Sequence, residues 1–128
     1  MPPPTAELTA FLHGEIDART FRHADHVRMA FELLARHPFL EAAAAVSGAL
    51  KTMARRAGNP GAYHETITLA FLAVINERRA AGVFGDYDAF AAANSDLLDK
   101  SVLTRWYGPD KLGGETARRL FVLPDPAR

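Results

Sequence analysis

Valine and isoleucine, the side chains that fill a β-sheet most readily, together number nine in this chain, whereas alanine occurs 24 times and leucine 14. That balance favours helix over sheet, because β-branched residues lose rotamer freedom against the preceding helical turn and alanine loses none. The placement of the apolar residues agrees: they recur at steps of three and four and nowhere alternate for long. The expected fold is all-α, a compact bundle of about five to seven helices. With 128 residues, 48% of them apolar, the chain makes a single helical domain spanning 1–128 that can bury its own core. Segments 1–4 and 122–128 are expected as flexible or extended ends.

Capping residues and breakers divide the chain into helices. Thr5 can cap a first helix running to about Asp17, with Leu8, Phe11, Leu12 and Ile16 on its buried stripe. A second helix is expected from His23–Asp25 up to Pro38, burying Val27, Ala30, Phe31 and Leu34. A third, about Phe39 to Ala57, turns Leu40, Val46, Leu50 and Met53 inward and stops at Gly58-Asn59-Pro60-Gly61. A fourth, about Ala62 to Ala81, buries Ile67, Phe71, Val74 and Ile75, and its late arginines, Arg78 and Arg79, suit the negative end of the helix dipole. Asp86 is expected to cap Tyr87 to Ala93, and further helices are expected at Leu97 to Tyr107 and Glu115 to Phe121.

Charge and cysteine usage remove whole classes of function. Fifteen basic and fifteen acidic side chains leave a formal net charge of zero, so nothing draws the molecule as a whole to nucleic acid or to an anionic membrane. No run approaches the roughly 20 apolar residues of a membrane span. Met1-Pro2-Pro3-Pro4 has neither the basic nor the apolar region of a secretory leader, so a cytoplasmic protein is expected. Without cysteine there is no disulfide, thiolate metal site or thiol nucleophile, and any transition-metal site must use histidine and carboxylate.

The five histidines are therefore the residues to follow. His23 and His26 are three apart at a helix start and so share a face, which continues into Val27 and Ala30. His64 stands in the same relation to Ile67 and Phe71. If helices two, three and four run up, down and up, helices two and four begin at the same end, which brings the three imidazoles together. The C-terminal end of helix one would deliver His13, Glu15 and Asp17 to the neighbourhood. Unpaired N–H groups at a helix N-terminus disfavour a cation, so the imidazoles are expected neutral, the form that binds metal. The leading expectation is a divalent transition-metal centre (Zn, Fe, Cu, Mn or Ni) on His23, His26 and His64, with Glu65 as fourth ligand or general base. Arg28, Tyr63 and Thr66 would contribute to catalysis beside it, and Thr68 either faces the same pocket or bonds back to its own helix. His64-Glu65-Thr66-Ile67-Thr68 lacks the second histidine of the zinc-protease pattern.

Two other readings compete. Neutral histidines can serve a metal-free pocket as base and hydrogen-bond donor toward a small molecule. Alternatively they cap helices in a non-catalytic interaction protein, where Trp106, Phe121 and the proline-rich end form a partner or homodimer surface. His37 suits a helix C-terminus, and His13 has no assigned role. Arg55-Arg56 and Arg118-Arg119 could make a local anion site but lack the interleaved aromatics of nucleic-acid binding. Gly113-Gly114 is too short for a phosphate loop, and no organic cofactor is expected.

The segments Phe21-Arg22-His23-Ala24-Asp25-His26-Val27-Arg28 and Tyr63-His64-Glu65-Thr66-Ile67-Thr68 resemble those of a group of small bacterial all-helical proteins. So do Leu97-Leu98-Asp99-Lys100 with Arg105 and Tyr107, and Ala117-Arg118-Arg119 with Phe121, Pro124 and Asp125. The resemblance covers most of the chain after residue 20 and implies one whole-chain domain carrying both histidine segments. No activity, cofactor or catalytic residue comes with it.

Overall fold

The computed structural model describes residues 2–126, and Met1, Ala127 and Arg128, which belong to the expected tails, lie outside them. The fold is all-α. In chain order come α1 (Ala6–Leu12), α2 (His23–Arg36), α3 (Phe39–Arg56) and a short 3₁₀ turn (Pro60–Ala62). They are followed by α4 (Glu65–Ala80), α5 (Tyr87–Ala93), two 3₁₀ segments (Ser95–Leu98 and Lys100–Arg105), α6 (Pro109–Leu112) and α7 (Glu115–Arg119).

Helices α2, α3 and α4 pack on one another and form the core; α1 lies on α3, and α7 on α4. The face of α2 that turns inward carries Val27, Ala30, Phe31 and Leu34, as its period requires. Helix α3 meets its neighbours through Ala42, Ala43, Val46, Ala49, Met53 and Ala54, four of them alanines that let backbones approach. Leu40 departs from expectation: at the first turn of α3 it has no helix over it and is 80% exposed. The ends of α2 and α4 are matched. Arg79 near the close of α4 donates to the Leu34 carbonyl at 3.2 Å, and its guanidinium sits 5.4 Å from the centre of the Phe31 ring.

Two glycines end helices in the left-handed conformation that other residues adopt at a cost. Gly14 (φ 66°) closes α1 well short of Asp17, with the Glu15 amide donating back to the Ala10 carbonyl at 3.0 Å. A side chain at Gly14 would collide with Thr52, and Arg56 donates to its carbonyl at 2.9 Å, so the corner is pinned to α3. Gly58 (φ 75°) closes α3 in the same manner, the Asn59 amide reaching the Ala54 carbonyl at 2.9 Å.

Later elements also differ from the sequence reading. Helix α4 begins at Glu65 rather than Ala62, because Pro60–Ala62 forms a separate 3₁₀ turn and His64 is the cap. The expected helix from Leu97 to Tyr107 is two 3₁₀ segments broken at Asp99, whose carboxylate accepts from the Ser101 amide at 2.9 Å and starts the second. Helix α6 is additional. The segment after α7 is extended but anchored: Val122 donates to Thr66 Oγ1 at 3.1 Å, Tyr107 donates to the Val122 carbonyl at 2.9 Å, and Asp125 caps the Gly108 amide at 2.6 Å.

Candidate functional site

The first turns of α2 and α4 and the last turn of α3 surround one recess of about 940 Å³, open to solvent. His23, His26 and His64 all line it, from the starts of α2 and α4. Its inner wall is apolar, with Val27, Ala30, Val46, Met53, Phe71 and Ile75. Its polar edge carries Arg19, Arg22, Asn59, Tyr63, Thr68 and Lys100.

The three imidazoles are used in three different ways. His64 bridges, its Nδ1 accepting from the Ile67 amide at 3.1 Å and its Nε2–H donating to the Leu112 carbonyl at 2.7 Å. This caps α4 and ties α6 to it, and it occupies both ring nitrogens. His23 donates from Nε2 to the Leu97 carbonyl at 2.9 Å, which leaves Nδ1 as a lone pair, and its ring lies 4.7 Å from that of Phe71. Burial lowers its pKa most, with the Lys100 ammonium acting in the same direction. His26 packs 4.5 Å from Phe21, itself stacked on Phe11, and has no hydrogen-bond partner among the described residues. Burial, then the neighbouring His23 and Lys100, push its pKa down to about 4 against a weaker pull from Asp25. His26 is thus a neutral imidazole facing the recess with its polar atoms uncommitted.

Of the other expected site residues, Tyr63 and Thr68 line the recess, whereas Glu65, Thr66 and Arg28 are not part of its lining. Glu65 accepts the Tyr63 phenol at 2.6 Å, and Ser47 Oγ lies 2.9 Å from the same phenol oxygen. Burial first, then the Glu65 hydrogen bond, push the Tyr63 pKa up to about 12. Glu65 lines a second recess of about 510 Å³ beyond Tyr63, and does not stand with His23 and His26. Thr66 is wholly buried and faces away from the imidazoles, its hydroxyl donating to the Leu120 carbonyl at 2.7 Å. Arg28 is on the outer face of α2, paired with Glu32 at 3.5 Å and near the Tyr87 ring. Thr68 lines the recess but bonds back to the His64 carbonyl at 2.8 Å. His13 pairs with Glu15 at the surface, and His37 stands at the C-terminal end of α2, 3.9 Å from Glu41.

Among the described residues no three histidine, aspartate or glutamate side chains converge to hold a metal ion. The donor set explains this, since His64 has no free nitrogen and Glu65 is turned to Tyr63. The two basic pairs read separately in the sequence partly meet: Arg55, Arg118 and Arg119 line the second recess with Lys51, while Arg56 holds Gly14. Arg19, Arg22 and Lys100 are the basic residues that sequence reasoning missed at the main recess. An exposed lysine at the start of a 3₁₀ segment has no periodicity to mark it, and its segment is brought over the mouth by the tie from His23 to Leu97 and the pairing of Arg78 with Asp96.

No helix among the described residues is long and apolar enough to cross a membrane. Comparison of the chain with family models, curated proteins and solved structures returns no match.

Proposed function

We propose that the chain binds a small, largely apolar molecule in the recess between α2, α3 and α4, without a metal. The observation that carries this reading is His26, a neutral imidazole that lines an apolar recess and has no hydrogen-bond partner among the described residues. A pocket with apolar walls and one or two uncommitted polar groups matches the usual chemistry of small-molecule sites. His26 would orient the ligand as donor or acceptor, and His23, through its free Nδ1, would be a general base for any proton the ligand yields.

A neutral fluorescent probe, N-phenyl-1-naphthylamine, tests the site without prejudging charge. Its emission is expected to rise saturably with the native protein, and Leu50→Trp or Ile67→Trp, which plug the recess from opposite helices, should weaken binding about tenfold. Unchanged binding in both folded variants, or no saturable binding to the native chain, overturns the proposal. Metal analysis of untagged protein checks the competing metal-centre reading: a stoichiometric ion retained by the native chain and lost in His26→Ala would replace this proposal with that one.

A further inference from the structure

The charges around the recess are one-sided, although the chain is neutral as a whole. Arg19, Arg22 and Lys100 line it, and among the described residues no aspartate or glutamate does. Arg19 already holds Asp17 at 3.0 Å. Arg22 and Lys100 carry no ion pair among the described residues. Asp25, the nearest acid on α2, points its carboxylate at the Arg22 amide, 2.8 Å away, and is not part of the lining.

Backbone polarity adds to this field. Helices α2 and α4, 14 and 16 residues long, both begin at the recess and present their partially positive ends there, against the C-terminal turn of α3 and the end of the one-turn α6 at Leu112. Lys100 stands near enough to disfavour protonation of both His23 and His26. An ammonium, a neutral N–H donor and two helix N-termini therefore surround one edge of a recess whose depth is hydrocarbon.

Resting on the reading of the recess as a small-molecule site, we infer that its ligand is an amphipathic carboxylate, with the anionic head between Lys100 and His26 and the apolar body against Val27, Ala30, Phe71 and Ile75. A cationic ligand would meet Arg22 and Lys100 and no carboxylate in the lining, the nearby Asp17, Asp25 and Asp99 being engaged with Arg19 and with the Arg22 and Ser101 amides. An uncharged one would leave Lys100 and Arg22 without a purpose at the mouth. A single negative charge fits one ammonium assisted by a neutral imidazole, since charge-assisted hydrogen bonds are about twice as strong as neutral ones.

Octanoate, octanol and octylamine share one apolar body and differ in the head, so calorimetric titration of the full chain with each separates the charge preference from the pocket itself. Octanoate is expected to bind about tenfold more tightly than octanol, and octylamine more weakly than either. Lys100→Gln, at an exposed position without an ion pair, should remove most of the octanoate advantage over octanol. Octanol binding as tightly as octanoate overturns the carboxylate inference while leaving the small-molecule reading intact. A preference for octanoate that survives Lys100→Gln overturns the head-group assignment. Failure of all three to bind overturns both.

Discussion

His26 is held neutral by burial and by two neighbours, and this fixes how the protein responds to acid. Its pKa falls from 6.5 in the unfolded chain to about 4 in the fold, so as the pH drops the unfolded state takes up the proton first. Stability is therefore lost between about pH 6.5 and 4, by about 3 kcal/mol for a shift of this size. Burial sets the sign; among the groups facing the ring, His23 and Lys100 also oppose a charge there, and Asp25 favours it only weakly. Asp17, Asp96 and Asp99 are held below the ordinary carboxylate range by Arg19, Arg78 and the Ser101 amide, so their losses come at lower pH. Urea midpoints measured from pH 7.5 to 4.5 are expected to fall for the native chain and to fall much less for His26→Phe, which keeps a ring against Phe21. Equal slopes would show that His26 is not the group responsible. Residue spacing placed the three histidines at one end of the bundle, but it could not say which nitrogens the fold would occupy. Those bonds run to carbonyls 74 residues away at Leu97 and 48 away at Leu112, and no local pattern encodes them.

At the scale of elements, the long helices were legible because each is bounded by a residue with a local physical role. Thr5 and Asp86 cap α1 and α5, Gly58 ends α3, and Pro38 separates α2 from α3, whereas the end of α1 at Gly14 was not read. The stretch from Ser95 to Leu112 was not legible as it stands, since Leu97, Leu98, Val102 and Leu103 mimic helical spacing while Asp99 restarts the chain as a second 3₁₀ segment. Thr66 shows the same limit in another form. In the sequence it adjoins His64 and Glu65, yet its hydroxyl joins α4 to the C-terminal segment by donating to the Leu120 carbonyl and accepting from the Val122 amide. Thr66→Val keeps the shape and leaves both backbone groups unpaired, at an expected cost of about 2 kcal/mol. Thr66→Ser should restore most of it. Chemical denaturation of the pair checks this, and a valine variant as stable as the native chain would show that the segment is not held by that hydroxyl.

Across the whole molecule, the inner wall of the recess is shared with the core, and its mouth is built from other parts of the chain. The α2, α3 and α4 core is continuous in sequence from residue 23 to 80, whereas the mouth of the recess needs the segments around Leu97 and Leu112 folded back onto it. Those segments are short 3₁₀ pieces and one-turn helices, tied by His23, by His64 and by the bidentate pairing of Arg78 with Asp96 at 3.0 and 2.8 Å. The ties from His23 and His64 also set an order of events in time. Amides inside α2, α3 and α4 are expected to exchange with deuterium only through global unfolding, and those from Leu97 to Leu112 through smaller, faster openings. Native-state exchange in low urea reads the difference directly, and identical opening free energies for the two regions would contradict it. Because the recess is open to solvent, a molecule bound there as proposed would come and go without waiting for those openings, and its contacts with Lys100 would make them rarer.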